Sequence, residues 1–277
     1  MHDGVHRVLT RLGMEPPFRV VARALLKRLR VSSRTRALWD ISNRSPYLLG
    51  VVTAAEQARS QHVAEISILE FGVAGGDGLL ALQHEAKAVE EEIGIGIKVY
   101  GFDMGAQGLP SFIGDYRDHP DAWQQGDYPM DEIALRARLS DRTTLILGNV
   151  RETVPRFFQD FDAPPIGFAS FDLDLYSSTR DALRVFTLKE TRMLWHVPLY
   201  FDDIEFLFNH RFAGELLAID EFNTQNERVK IDRWYGVKIG RPFPERSFLD
   251  KLYVAHDLHA ISGATLRRGI GRLPVRQ

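Results

Sequence analysis

The sequence predicts an α/β chain: a Rossmann-like, mostly parallel seven-stranded sheet with helices on both faces and an N-terminal helical cap. Three observations predict it. From about residue 65 onward, strand-length apolar runs alternate with helical segments, the order of a doubly wound sheet. The runs are apolar throughout rather than at every second position, as in strands covered on both faces. Several end in Asp or Glu, which collects carboxylates at the edge where open α/β sheets bind ligands.

The N-terminal 44 residues carry ten Lys/Arg against three acids, although the net charge of the 277-residue chain is −2. Residues 5–30 break at Pro16-Pro17, after which Val20, Val21, Ala24, Leu25 and Leu29 recur at helical spacing among basic residues. This amphipathic helix has two readings: a surface for anionic lipids, polymers or nucleotides, or a cap packed on the main domain or a second subunit. Residues 46–60 read as another helix. We divide the chain into a basic helical extension, 1–60, and a main α/β domain, 61–277.

EISILEFG (65–72) is the first strand and GDGLLALQHEAKAVEEEIG (76–94) the first helix of the domain, stopped by Gly94. IKVYGFD (97–103) is the second strand. Residues 104–130, rich in Gly, Pro, Asp and aromatics, form a long loop of the kind usually tied to function. A helix over 130–140 and a strand over 143–150 follow. IGFASFDLD (166–174) is the fourth strand, 177–190 a capped helix, VPLYFDD (197–203) the fifth strand and 213–223 a helix. KLYVAHDL (251–258) is a late strand, with 230–240 as its hairpin partner. The basic tail after residue 266 is loosely ordered in this reading.

Composition narrows the chemistry. There is no cysteine, which excludes disulfides, thiol nucleophiles and thiolate metal sites. The near-neutral charge argues against a general nucleic-acid partner. No apolar run reaches membrane-span length and no secretory h-region is present, so the expected location is the cytoplasm.

The turn ILEFGVAGGDG (68–78) suits close approach of backbone to a ligand, but Ala74 breaks the G-x-G-x-x-G dinucleotide pattern. Glu70 at the strand end repels pyrophosphate and suits a cationic or zwitterionic ligand, such as the amino group of a methionine moiety. Asp103 ends the second strand, where a carboxylate accepts from both hydroxyls of a ribose. Asn149 follows the third, beside an adenine edge. Each feature alone also fits a plain turn or helix cap.

From about residue 65 to 258 the chain resembles the class I S-adenosylmethionine-dependent methyltransferases, most of all the macrocin O-methyltransferase type, which methylates natural-product sugars with magnesium. The segments that carry it are LEFGVAGGDG, YGFDMG, LILGNVRETVPRF, FDLDLYSSTRDAL, YFDD and AGELLAIDEFN. The glycine turn is shorter than usual for that type, and Asn149 stands where Asp is frequent. The resemblance implies S-adenosylmethionine along Glu70, Gly72 and Gly76, with its ribose on Asp103. It also implies Mg²⁺ on Asp174, Asp202 and Asp203. The physics agrees: converging carboxylates repel, and a divalent ion neutralises them. Asp172 then faces the cofactor. Asp172 and Asp203 as caps or ion-pair partners, with no metal, is the competing reading.

Candidate bases are a carboxylate of the metal site (Asp174), His210 and His119; His196 is too far from the site edge. Tyr116, Trp123, Tyr128 and Tyr176 line an acceptor pocket or anchor a lid. The expected activity is Mg²⁺-assisted O-methylation of a sugar, a glycosylated metabolite or another small diol. The partners are that small-molecule acceptor and a second copy held through the N-terminal helices. A metal-dependent nucleotide-sugar transferase and a non-catalytic adenosyl-ligand-binding protein are the alternatives.

Overall fold

The computed structural model describes residues 17–263. The first part of the expected N-terminal helix, 5–16, and the basic tail lie outside them. Strands β1 (Glu65–Phe71), β2 (Gly96–Asp103), β3 (Thr143–Leu147), β4 (Ile166–Phe171), β5 (His196–Phe201), β6 (Val229–Arg233) and β7 (Leu252–Asp257) form one sheet in the order β3-β2-β1-β4-β5-β7-β6. The first five strands are parallel; β7 runs antiparallel to β5 and β6, the expected hairpin. The fourth and fifth strands end at Phe171 and Phe201, so FDLD and YFDD place their acids in the loops beyond the sheet.

The helices are α1 (Phe18–Leu26), α2 (Ser33–Leu38), α3 (Ser45–Ser60), α4 (Asp77–Ile93), α5 (Glu132–Arg136), α6 (Val150–Thr153), α7 (Phe157–Phe161), α8 (Tyr176–Leu183), α9 (Gly214–Gln225) and α10 (Leu258–Gly263). The helix expected over 130–140 shrinks to the single turn or so of α5. The helix expected over 177–190 closes at Leu183 and tightens to a 3₁₀ turn, Arg184–Phe186. Chain order runs from β1 toward β2 on one side and from β4 toward β5 on the other. With right-handed crossovers this puts α4 and α8 on opposite faces. The β1/β4 boundary is therefore the switch point.

Helix α3 packs on α4 and across β1, β4 and β5 as a layer of the sheet domain. Tyr47, Leu48, Val51, Ala54, Ala55 and Ala58 are fully buried in it. Helix α1 docks differently. Its arginines face the body: Arg19 donates to the Pro242 carbonyl (2.7 Å) and Arg23 to the Asp40 carbonyl (2.6 Å). Phe243 lies among the guanidinium groups of Arg19, Arg23 and Arg246. The apolar residues Phe18, Val21, Leu25 and Leu29 stay more than half exposed. The apolar face therefore does not pack on the main domain.

One packing feature positions the site. Phe102, Phe71, Phe171 and Phe201 stack side by side across β2, β1, β4 and β5, with centroids 4.7–5.0 Å apart and all four rings fully buried. They share one level of the sheet because they are register partners. Such cross-strand pairs hold register. The next residue on each strand, Asp103, Gly72, Asp172 and Asp202, thus arrives at a common level at the carboxyl edge.

Candidate active site

A cavity of about 360 Å³ opens at that edge. It is lined by the β1–α4 turn, the ends of β2, β4 and β5, Gly148, Asn149 and Val150 after β3, and Gly108, Leu109, Trp123, Asp127 and Tyr128 of the long loop. Among the described residues no helix is long and apolar enough to cross a membrane.

Glu70 stands in the lining, 1% exposed. Its Oε1 accepts from the Tyr47 hydroxyl (2.8 Å), which in turn accepts from Ser170 Oγ (3.2 Å). Its Oε2 is buried without a partner. Burial pushes the carboxyl up to about 8, the Tyr47 hydrogen bond opposing and the nearby Asp172 charge adding to the rise. Gly78 makes the room: a Cβ there would stand 2.0 Å from Glu70 Oε1.

Asp103 lines the cavity, but its first task is structural. Oδ2 accepts from the backbone N–H of Val73 (2.8 Å) and Ala74 (2.9 Å), and Oδ1 from Gly105 (2.6 Å). The carboxylate thus pins the glycine turn, leaving its remaining lone pairs for hydroxyl donors. Asn149 also lines the cavity while its Oδ1 caps α6 through Arg151 N–H (2.9 Å). Gly72 lies in the lining. Gly76 does not: it caps α4 at φ +90°, packed toward Leu135, while Gly75 and Asp77 take the wall.

Beside this turn the acids gather. Asp172, Asp202 and Asp203 can each offer one oxygen within 4.8 Å of the others. Asp174, expected in this set, stands beside it; Asp172, expected toward the cofactor, stands inside it. Asp174 sits at φ +62° in a three-residue turn closed by Leu175 N–H on the Leu173 carbonyl. Its own N–H donates to Asp203 Oδ2 (3.0 Å). Burial raises Asp172, Asp174 and Asp203 to about 7 each, and neighbouring carboxylates add to it.

Four residues that the sequence reading missed complete the cluster. Lys251 Nζ donates to the Asp202 carbonyl (2.6 Å) and Oδ1 (3.1 Å), and Tyr200 OH to the same Oδ1 (2.6 Å). Fully buried Glu215 accepts the Asp203 N–H on Oε2 (3.0 Å), and its Oε1 has no partner. Burial, then Asp203, holds its carboxyl well above the usual range. Arg44 lines the cavity, its guanidinium 5.5 Å from the Tyr47 ring centroid. A lysine and an arginine cannot balance this many carboxylates. The hard oxygen donors and the charge excess fit a divalent cation such as Mg²⁺. The unpartnered Glu70 oxygen and the glycine turn fit the amino-acid end of S-adenosylmethionine.

His210 is exposed and absent from the lining. Its ring stands 5.2 Å from that of His119, which is buried with Nε2 unpartnered and packs on Phe206. Trp123 and Tyr128 form the cavity wall, with Phe206 behind Trp123 (5.8 Å). Tyr176 is a core residue instead, its hydroxyl on Glu221 (2.6 Å). Tyr116 is mostly exposed and absent from the lining.

No protein-family model and no curated protein matches the chain. Solved structures do. CalS11, a calicheamicin methyltransferase, superposes with a TM-score of 0.53 at 19% identity over 88% of this chain and 93% of its own. The apo form of CalS11, a TDP-rhamnose 3′-O-methyltransferase, gives 0.46 at 19% over 81% and 84%. An O-methyltransferase from Bacillus cereus in complex with SAH gives 0.40 at 16% over 78% and 81%. The first of these shows that the chain has the class I methyltransferase fold.

Proposed function

We propose that the chain is an S-adenosylmethionine-dependent O-methyltransferase that methylates a hydroxyl of a small molecule with help from Mg²⁺. The observation that carries this reading is one cavity with two chemistries in its lining. A glycine turn and Glu70 stand in the same wall as a three-carboxylate cluster. Bound there, S-adenosylmethionine would supply the sulfonium methyl, and Mg²⁺ on Asp172, Asp202 and Asp203 would polarise the acceptor hydroxyl. Asp174, beside that set and in the lining, would take the hydroxyl proton as the oxygen bonds to the methyl carbon and the sulfur–methyl bond breaks, leaving S-adenosylhomocysteine. The long loop, with Trp123 and Tyr128, excludes water and orients the acceptor. His210 has no part in the transfer, since it lies outside the cavity.

The acceptor in this reading is a sugar, a glycosylated metabolite or another diol, as in natural-product biosynthesis, and CalS11 is one methyltransferase of that kind. The enzyme is cytoplasmic and does not act on nucleic acid. Residues 61–277 form the catalytic domain, and the 1–60 extension completes its site through α3. The exposed apolar face of α1 supports pairing with a second copy. Calorimetric titration with S-adenosylhomocysteine, with Mg²⁺ and again with EDTA, tests the function. Micromolar binding in both runs and a separate Mg²⁺ heat are expected; no binding in either run overturns it.

A further inference from the structure

Asp202 and Asp203 are consecutive, and consecutive residues of a strand point to opposite faces. Tyr200 and Asp202 keep that rule. Two positions apart, they share a face, and the Tyr200 hydroxyl reaches Asp202 Oδ1 (2.6 Å). Asp203 breaks it, since one of its oxygens lies within 4.8 Å of one from Asp202. The break is local. The β5 ladders end at Tyr200 and Phe201, and Asp203 has turned to φ −96°, ψ 21° in a 3₁₀ turn, Asp202–Ile204. The peptide between the two aspartates thereby leaves the sheet, and its carbonyl and N–H need other partners. Two side chains from distant parts of the chain supply them. Lys251 Nζ donates to the Asp202 carbonyl (2.6 Å), and Glu215 Oε2 accepts the Asp203 N–H (3.0 Å). These groups lie on opposite edges of one peptide plane, so the unit is gripped from both sides.

Neither Lys251 nor Glu215 lines the cavity, so both act through the aspartates they hold. A fully buried carboxylate this close to others is costly, and what Glu215 gains there is its bond to the Asp203 N–H. We infer that Lys251 and Glu215 are positioning residues that brace the Asp202–Asp203 peptide and so turn both carboxylates toward one divalent cation. This rests on the metal in the proposed function, where contacts of this kind orient ligands. It holds whether the third ligand is Asp172 or Asp174, since Asp202 and Asp203 belong to both sets. The brace also fixes a sign. Lys251 is a cation bonded to Asp202 Oδ1 (3.1 Å), so by charge alone its removal strengthens cation binding. As half of the brace, its removal weakens that binding.

The experiment is titration of the full chain with Mn²⁺, which takes the same oxygen donors as Mg²⁺ and is followed through the electron paramagnetic resonance signal of the free ion. Wild type is compared with Lys251→Met, Glu215→Leu and Glu215→Gln. Lys230→Met is the control, since Lys230 also donates to a backbone carbonyl, that of Asn223, away from the site. Lys251→Met and Glu215→Leu are each expected to weaken Mn²⁺ about tenfold or more. Glu215→Gln loses the charge but keeps an acceptor for the Asp203 N–H, and is expected within about threefold of wild type, as is Lys230→Met. S-adenosylhomocysteine affinity in EDTA should be unchanged throughout. Tighter or unchanged Mn²⁺ binding in Lys251→Met overturns the brace. So does a Glu215→Gln chain as weak as Glu215→Leu, because charge alone would then explain the loss. If Glu215→Leu does not fold, the sign of the Lys251→Met effect still decides. Wild type that binds S-adenosylhomocysteine but no Mn²⁺ removes the metal from the proposed function, and the brace with it.

Discussion

Gly72 and Asp172 meet backbone to backbone: a Cβ on Gly72 would stand 1.7 Å from the Asp172 carbonyl oxygen. The contact joins the ends of β1 and β4 at the switch point, where the glycine turn and the acidic cluster share a wall. The neighbouring ladder bond, Asp172 N–H to the Phe71 carbonyl (2.8 Å), holds the two strands at this spacing. Gly72 also has φ +86°, which side chains rarely adopt. Gly72→Ala therefore has to push the two strand ends apart. The expected cost is about 3 kcal/mol or more, read from urea unfolding. A stable Gly72→Ala protein with wild-type cofactor affinity would remove this account of the switch point.

One buried carboxylate ties the long loop to α8. Asp118 accepts from Ile113 N–H (2.8 Å), Ser177 N–H (2.8 Å) and Ser177 Oγ (3.0 Å), so it ties residues 113–118 to the start of α8. Asp118→Ala leaves these donors without their acceptor, at an expected cost of about 2–3 kcal/mol. The loss should be local first. Limited proteolysis is expected to cut within 104–130 well before the other described residues, and S-adenosylhomocysteine should bind several-fold more weakly on the proposed function, since Leu109, Trp123 and Asp127 line the cavity.

The proposed roles of metal ligand and proton acceptor are separable by substitution. Asp172→Ala and Asp203→Ala should each abolish the Mg²⁺ heat while S-adenosylhomocysteine still binds in EDTA. Asp174→Asn should keep Mg²⁺ binding and lose turnover by about a hundredfold, within the range of a lost general base. The opposite pattern, with Mg²⁺ lost in Asp174→Asn and kept in Asp172→Ala, would return the metal to Asp174, Asp202 and Asp203. Asp103→Ala is expected to weaken S-adenosylhomocysteine with or without metal, because the Val73–Ala74 turn loses its anchor.

What was legible in the sequence follows from this geometry. Glu70, Gly72, Asp103, Asp172, Asp202 and Asp203 each lie within about two residues of a strand end, and a parallel sheet brings strand ends together without further information. The residues that escaped reading reach the site across the fold. Arg44 and Tyr47 come from a helix before the first strand, Glu215 from the first turn of α9, and Lys251 from the approach to β7. Their positions depend on how layers pack, which no local pattern records. The placement of Asp172 and Asp174 has a different cause. Alternation within FDLD makes the two equivalent, whereas in the fold Asp172 can bring an oxygen within 4.8 Å of Asp202 and Asp203 and Asp174 sits beside them in a left-handed turn. His210 looked promising because it follows the acidic pair, but the chain turns outward there, leaving Leu207, Phe208 and Phe212 exposed around it.

A last prediction concerns the far end of the sheet. His196 and His256 face each other as register partners on β5 and β7, with Nδ1 to Nδ1 at 2.8 Å. Such a bond needs one ring to donate and the other to accept, so at least one imidazole must be neutral. Burial lowers both pKa values, and for His196 the neighbouring ring lowers it further. A histidine whose folded pKa lies below its unfolded value of about 6.5 stabilises the fold above that pH. The contribution is lost as pH falls through the folded value, since the unfolded chain then binds more protons. The buried Asp172, Asp174 and Asp203 act in the opposite sense. Their raised pKa values favour the folded chain at low pH and lose that contribution as pH rises through about 7. The wild-type profile therefore mixes two slopes, and the histidine part has to be read as a difference. Urea midpoints for wild type and a His196→Gln/His256→Gln variant, measured from pH 5 to 8, supply it. The wild-type advantage should be largest above pH 7 and shrink steadily toward pH 5. A difference that stays flat across the range would mean that the pair contributes packing alone.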